Sequence, residues 1–268
     1  MQEVNPSGAP LQNLRVLAAC TPKTAARLET GLRAHGAVVL AVSMIELRDI
    51  EDNPALDSAL QRLPSFDWIV FTSAFAVDCF LKRLERSKLT AFSPSGPRVC
   101  CIGPATAARL RNAGVEPDVT PGEFVAEAIP PALAERHKRM PGLAGKRVLI
   151  PRAREARDYL PRALEASGTA VEAVTCYENT PAVLPDRLRK EIVAFAPGAA
   201  VFTSSLTVRS FMSNLGLQAA GELLAKCRVA ALGPITASTI RSYGIMVHII
   251  PAQNTVASLL DALRDHFR

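Results

Sequence analysis

Short apolar runs alternate with longer amphipathic stretches along most of the chain. The runs are continuous, which is typical of strands buried on both faces of a parallel sheet. In one of the longer stretches, Ala25, Leu28 and Leu32 share one face of a helix predicted for 24–35, which Gly36 ends. The alternation predicts an α/β fold with parallel sheets. The predicted strands are 15–19, 38–42, 68–71, 99–102, 148–150, 171–174, 200–202, 229–232 and 247–250.

The apolar pattern occurs twice, about 130 residues apart. Arg15-Val16-Leu17 returns as Arg147-Val148-Leu149, and Val70-Phe71-Thr72-Ser73 returns as Val201-Phe202-Thr203-Ser204. Gly103-Pro104 returns as Gly233-Pro234, where each proline suits a first helical turn. This period is too long for a solenoid repeat, so the repeated unit has the size of a domain. Two similar lobes facing each other imply a cleft, and a cleft implies a ligand.

Two arrangements of these repeats are compatible with the sequence. Polar linkers are expected at 43–54 and 176–185, after the second strand of each repeat. A simple division near residue 143 places one repeat in each domain. The matched linkers also allow the first strand-helix-strand segment of each repeat to be exchanged between the lobes.

Composition narrows the class of partner. The 268 residues include 49% hydrophobic and 21% charged residues, as in a globular protein with sizeable cores. A net charge of +6 favours an acidic partner, while 5% aromatic residues argue against nucleic-acid modules that stack bases. We therefore expect an anionic small ligand and no nucleic acid. No apolar run of about 18 residues predicts a membrane span, and no leader pattern opens the chain, so a cytoplasmic protein is expected.

Metal and nucleotide chemistry have no support in the sequence. The six cysteines show no C-x-x-C spacing and the four histidines stand far apart, so buried free thiols and no metal site are expected. Neither a G-x-G-x-x-G fingerprint after the first strand nor a phosphate-binding loop is present, which predicts no nucleotide cofactor. No nucleophile motif is found either. An enzyme with this sequence would hold a reactive ligand in place.

Small polar residues follow four of the predicted strands. Ligands of open α/β sheets bind at such strand ends, beside helix N-termini. The hydroxyls could cap the following helices, or the same turns could bind a carboxylate or phosphate through backbone N–H groups. Their occurrence in two matched pairs makes an anion-lined cleft as plausible as simple capping. The residues are Thr72, Ser73, Gly103, Thr106, Thr203, Ser204, Ser205, Gly233 and Thr236.

In these segments the chain resembles the uroporphyrinogen-III synthase family, over about 14–263. No single motif is diagnostic of the family, but the order and spacing of the five motifs are. The motifs are Phe71-Thr72-Ser73 with Ala76-Val77, Ile102-Gly103-x-Ala105-Thr106-Ala107, Tyr177-x-x-Thr180, Phe202-Thr203-Ser204-Ser205 and Leu232-Gly233-Pro234-x-Thr236-Ala237.

The resemblance implies the exchanged arrangement. Two similar α/β lobes would be joined by a two-stranded linker, with a cleft between them. One lobe would comprise 1–43 and 180–268, and the other 46–176, with linkers near 43–46 and 176–180. A monomer without a cofactor is also implied.

The resemblance further implies an activity. The substrate would be hydroxymethylbilane, a linear tetrapyrrole with eight carboxylates, which is cyclised with loss of water and inversion of ring D. Tyr177 matches a linker tyrosine thought to help the hydroxyl leave. The polar residues at the strand ends would hold carboxylates, as would Arg152 and Arg157. A transient contact with the enzyme of the preceding step is also implied.

Three positions depart from the family pattern. Many relatives carry Arg at the position of Cys20, Asn at the position of Phe75 and a serine at the position of Leu206. Compared with that pattern, this chain lacks one charged and two polar groups. A second function therefore stays open, in which the protein binds acidic tetrapyrroles without catalysis or has a regulatory role.

Overall fold

The computed structural model describes residues 9–89, 96–136 and 142–268. The chain forms two compact units. Unit 1 comprises Met1–Glu46 and Thr180–Arg268, and unit 2 comprises Leu47–Asn179. Each unit contains one sheet with helices on its faces.

The described strands and helices alternate along the chain. The strands are β1 (Arg15–Cys20), β2 (Val38–Ser43), β3 (Ile45–Asp49), β4 (Trp68–Phe71), β5 (Arg98–Cys101), β6 (Arg147–Ala153), β7 (Ala170–Pro181), β8 (Ala199–Phe202) and β9 (Arg228–Ala231). The α-helices are α1 (Pro22–Ala34), α2 (Pro54–Gln61), α3 (Ala74–Ser87), α4 (Gly103–Asn112), α5 (Ile129–Arg136), α6 (Tyr159–Glu165), α7 (Asp186–Ala194), α8 (Ser205–Leu215), α9 (Leu217–Leu224), α10 (Pro234–Ser242) and α11 (Val256–His266).

The two sheets have the same order of equivalent strands. In unit 1 the order is β2-β1-β8-β9, and all these neighbours are parallel. In unit 2 the order is β3-β7-β6-β4-β5, and the last four strands are parallel. Since β6 and β7 are the repeats of β1 and β2, the first two strands of each repeat lie beside the last two strands of the other. The exchanged arrangement is therefore the one that the strand pairing shows.

β3 and β7 contain the two points at which the chain passes from one unit to the other. The N–H of Ala182 donates to the carbonyl of Met44 at 3.0 Å, and the N–H of Ile50 donates to the carbonyl of Cys176 at 3.1 Å. Because the residue numbers run in opposite directions along the pair, the two strands are antiparallel.

Both faces of each sheet are buried, as the continuous apolar runs predict. In β1, Leu17 packs into one hydrophobic cluster, while Val16 packs into another that includes Leu28 and Leu32 of α1. In β4, Phe71 likewise packs into one hydrophobic cluster and Val70 into another. Successive side chains of a strand point to opposite faces, so each core strand contributes to two cores.

Several predicted elements are confirmed and one is wrong. α1 carries the predicted apolar face, and Gly36 follows it with a φ of 87°. Pro104 and Pro234 lie in the first turns of α4 and α10. The strand predicted for 247–250 is not formed: Ile249 makes only an isolated bridge to Ala230. β3 and the end of β7 lie within the polar segments 43–54 and 176–185, where linkers were predicted.

Candidate functional site

In unit 2, β4 ends at a turn that begins α3. Ser73 is the N-cap of this helix, and its Oγ accepts a hydrogen bond from the N–H of Ala76 at 3.1 Å. An N-cap of this kind satisfies one of the free N–H groups in the first helical turn. The capping interpretation of Ser73 is therefore correct, although capping leaves the hydroxyl with capacity for a further hydrogen bond.

That second bond is to Tyr177 on β7. The phenol oxygen lies 2.9 Å from the Oγ of Ser73. The ring of Phe75 packs edge-on against the tyrosine ring, with centroids 5.1 Å apart. Tyr177 is 8% exposed, and this burial raises the pKa of its phenol, while the Ser73 hydrogen bond opposes the shift. A phenol with a raised pKa stays protonated at neutral pH and can donate a hydrogen bond or a proton.

Thr72, Arg152 and Arg157 line one small cavity in unit 2, with a volume of about 90 Å³. The guanidinium of Arg152 donates to the Asp158 carboxylate at 2.9 Å and to the carbonyl of Ala156. Arg157 is 75% exposed and lies 3.2 Å from the carboxylate of Glu127. Arg152 therefore stabilises its own loop. The partner of Arg157, Glu127, is solvent-exposed, so Arg157 is the more available cation.

The second turn of unit 2 follows β5, next to β4. The N–H of Ile102 donates to the carbonyl of Phe71 at 3.0 Å, so the ends of these two strands are adjacent. Gly103 opens α4 with a φ of 77°, a backbone conformation that favours glycine. The side chain of Thr106 is buried in the first turn of this helix.

In unit 1, the predicted residues meet in a single open pocket of about 300 Å³. It lies at the ends of β8 and β9, where α8 and α10 begin. Ser204 caps α8 reciprocally with Thr207, and the Ser205 hydroxyl accepts a hydrogen bond from Thr239 at 2.8 Å. The predicted residues that line the pocket are Thr203, Ser204, Ser205, Gly233 and Thr236.

A buried hydroxyl of this pocket, that of Thr203, has no partner among the described residues. Thr203 is 8% exposed, and its Oγ1 makes no hydrogen bond within the described part of the chain. An unpaired buried hydroxyl is unfavourable unless a ligand or water completes it. The pocket is therefore a polar site at the positive ends of two helices, suited to an anionic group.

Comparison with known proteins identifies the family. The family model described as uroporphyrinogen-III synthase HemD matches residues 13–261. The chain belongs to this family. A uroporphyrinogen-III synthase from Synechococcus elongatus is 30% identical over 243 residues, which cover 88% of this chain and 89% of that protein. Another from Chlorobaculum parvum is 29% identical over 214 residues, covering 78% and 83% respectively.

A solved structure agrees at the level of the fold. The uroporphyrinogen-III synthetase of Helicobacter pylori aligns with a TM-score of 0.53 and 19% identity, over 95% of this chain and all of that one. This agreement confirms the predicted α/β class with parallel sheets.

The three departures from the uroporphyrinogen-III synthase pattern have different surroundings. Cys20 is fully buried at the end of β1, and its thiol lies 3.7 Å from the carbonyl of Val42. Phe75 forms the edge-on contact with Tyr177. Leu206 is half-buried in the first turn of α8. Cys20 thus contributes to the apolar core of unit 1, and Phe75 supports the tyrosine that the family resemblance singles out.

The described residues contain neither a cluster suited to a metal ion nor a helix that could span a membrane. Within 9–89, 96–136 and 142–268, no group of three or more His, Cys, Asp or Glu side chains could hold a metal ion. No helix in these ranges is long and apolar enough to cross a membrane. All six cysteines are buried free thiols, as predicted.

Sequence reasoning missed Asn254, which lines the unit 1 pocket beside Gly233. It lies in the loop before α11 and belongs to no apolar pattern or motif. The internal repeat gives one indication of this position. Asn254 follows Gly233 by the same number of residues as Phe124 follows Gly103, so the two residues are equivalent in the repeat. Since the two residue types differ, that signal does not itself predict a polar site.

Proposed function

We propose that this protein is a uroporphyrinogen-III synthase that cyclises hydroxymethylbilane to uroporphyrinogen III, a step of haem biosynthesis. Membership of the family over residues 13–261 is the observation that carries the proposal. The enzyme would be a cyclising hydro-lyase that works without a cofactor.

In the proposed reaction the terminal hydroxyl of the substrate leaves as water. The carbon–oxygen bond breaks with electrons from the adjacent pyrrole nitrogen, whose proton is lost, and the hydroxyl takes up a proton. The resulting azafulvene is attacked by the substituted carbon of ring D, and the spiro intermediate reopens and recloses with that ring inverted. The only net loss is one molecule of water.

Tyr177 is the proposed group at the leaving hydroxyl. Its phenol is protonated at neutral pH and is oriented by Ser73 and Phe75. A fixed donor can stabilise negative charge on the departing oxygen, and a positioned acid accelerates such a step by about 10²- to 10⁴-fold. Because the substrate is already reactive, orientation and electrostatics would supply the rest of the catalysis.

The carboxylates of the substrate would be held by the polar turns. The proposed binding residues in unit 1 share one pocket, and in unit 2 Thr72, Arg152 and Arg157 share one cavity. Gly103 and Thr106 would complete the unit 2 contacts at the start of α4. A net charge of +6 favours an octa-anion at long range. We further propose a cytoplasmic monomer that contacts the preceding enzyme only transiently.

The test supplies freshly made hydroxymethylbilane to the purified protein and separates the uroporphyrin isomers after oxidation. Spontaneous cyclisation gives isomer I, so a reaction without protein is the control. We expect predominantly isomer III. Isomer I alone, from protein shown to be folded by circular dichroism, would favour the non-catalytic binding or regulatory role.

A further inference from the structure

Asn254 lies directly on the turn that begins α10. A Cβ added to Gly233 would stand 2.8 Å from the Oδ1 and 3.2 Å from the Nδ2 of Asn254. The glycine therefore leaves the space that the amide occupies. Asn254 is exposed, and among the described residues its amide has no hydrogen-bond partner. It presents both a free donor and a free acceptor at the edge of the pocket.

The surroundings of this amide favour a carboxylate. Three helices begin at the pocket or next to it: α8, α10 and α11, the last capped by Thr255. Their N-terminal ends carry partial positive charge and free N–H groups. None of the residues that line the pocket is acidic. A carboxylate in this place is attracted by three helix ends and meets no acidic side chain among the residues that line the pocket.

The buried hydroxyl of Thr203 is a second indication of a ligand, independent of Asn254. It lines the same pocket, is more than nine-tenths buried, and is without a partner in the described structure. Neighbouring hydroxyls behave differently, since Ser204 is engaged in a cap and Ser205 bonds to Thr239. The Thr203 hydroxyl therefore gains a hydrogen bond when a ligand oxygen enters.

The equivalent turn of unit 2 has different chemistry. There the Cβ position of Gly103 is 3.7 Å from the ring of Phe124, which is 60% exposed. Because the repeat places an amide on one turn and an aromatic ring on the other, Asn254 is not required by the fold of the turn.

We propose that Asn254 is a substrate-positioning residue that donates a hydrogen bond from Nδ2 to one carboxylate of the tetrapyrrole, held over the start of α10 with Thr203 beneath it. The inference rests on the proposed function. It adds to that function a named donor and a defined carboxylate subsite in unit 1.

The decisive variant is Asn254→Asp, which keeps the shape of the side chain but places a negative charge in the subsite. Asn254→Ala removes the donor without adding charge. Gln253→Glu adds the same charge to the neighbouring exposed residue, which does not line the pocket, and controls for long-range repulsion.

Steady-state kinetics with hydroxymethylbilane give the first readout. We expect Asn254→Ala to raise KM by about tenfold, the loss of one hydrogen bond to a charged group. Asn254→Asp should raise KM further, while kcat changes little and Gln253→Glu resembles the parent. Equal KM values for Asn254→Asp and Gln253→Glu, in proteins with unchanged urea midpoints, would overturn the proposal.

A binding titration separates this proposal from the proposed function. Uroporphyrin I, a stable octacarboxylate, is titrated against each variant by quenching of porphyrin fluorescence. Weaker binding to Asn254→Asp than to Gln253→Glu supports the subsite even if the parent protein forms no isomer III. Identical binding curves for these two variants overturn the subsite even if the parent is active.

Discussion

The phenol oxygen of Tyr177 lies 2.9 Å from the Oγ of Ser73, a residue 104 positions earlier in the chain. The serine also caps α3, so this single hydroxyl fixes both the start of a helix and the direction of the phenol. Tyr177 is thereby held within the long strand β7 by one hydrogen bond and by the ring of Phe75. This geometry fixes the position of the phenol oxygen, and either hydroxyl can be the donor in the hydrogen bond.

Replacing Tyr177 with Phe tests the donor. We expect kcat for isomer III to fall at least about tenfold, because the proposed reaction loses its acid. Stability should fall by only about 0.5–1.5 kcal/mol, the usual contribution of one hydrogen bond. Tyr243→Phe, at the exposed end of α10, is the matched control and should leave kcat unchanged. Full activity of Tyr177→Phe would remove the assignment.

Ser204 allows capping and substrate binding to be separated. Ser204→Ala should lower the free energy of unfolding by about 1 kcal/mol, whereas Ser204→Gly should cost only a few tenths, because glycine is tolerated at an N-cap. Both variants lack the hydroxyl. If that hydroxyl binds a carboxylate, both should raise KM equally; a KM that rises only in the alanine variant would mean that capping alone matters.

The two matched glycines should respond differently to alanine. Gly103→Ala forces a side chain into a φ of 77° and should destabilise the protein by about 1–2 kcal/mol. Gly233 has an extended φ of −163°, so Gly233→Ala carries no such strain. Its new Cβ instead displaces the amide of Asn254 and should raise KM. Urea unfolding and steady-state kinetics measure the two effects, and a reversed pattern would contradict this interpretation.

Stability should decline in alkali because of Cys100. Burial, aided by the nearby Cys101 and Asp118, raises the pKa of its thiol from 9.0 to about 12. The folded state thus holds this proton more tightly than the unfolded state. The stabilisation is fully present below pH 9 and is lost as pH rises towards 12, on the order of 1.4 kcal/mol per pH unit.

Urea unfolding of the parent and of Cys100→Ala between pH 7 and pH 11 checks this linkage. The alanine variant should lose less stability above pH 9 than the parent, even though it starts lower because of the lost packing. Between pH 7 and pH 8 the two curves should be parallel, which provides the internal control. Parallel curves at all pH values would show that Cys100 does not titrate differently on folding.

The pattern of apolar residues was informative wherever a strand is buried on both faces. β1, β4 and β8 coincide closely with the predicted runs, since every side chain of such a strand needs a nonpolar environment. β3 and the end of β7, 178–181, were missed because most of their side chains are polar and, apart from Ile45, none of them is buried. Ile249 lies in an apolar run but makes a single bridge, because burial alone does not require a ladder of hydrogen bonds.

The α/β class, the repeat, the polar residues at the strand ends and the family could all be inferred from the pattern of residues along the chain. Which strands pair could not be inferred in this way, because both arrangements bury the same apolar faces and differ only in long-range contacts. The same is true of the site. Asn254 reaches the Gly233 turn, and Tyr177 reaches Ser73, through contacts between residues far apart in the chain. The spacing of residues within one helix or strand does not predict such contacts, since it indicates only the face of that element on which a side chain lies.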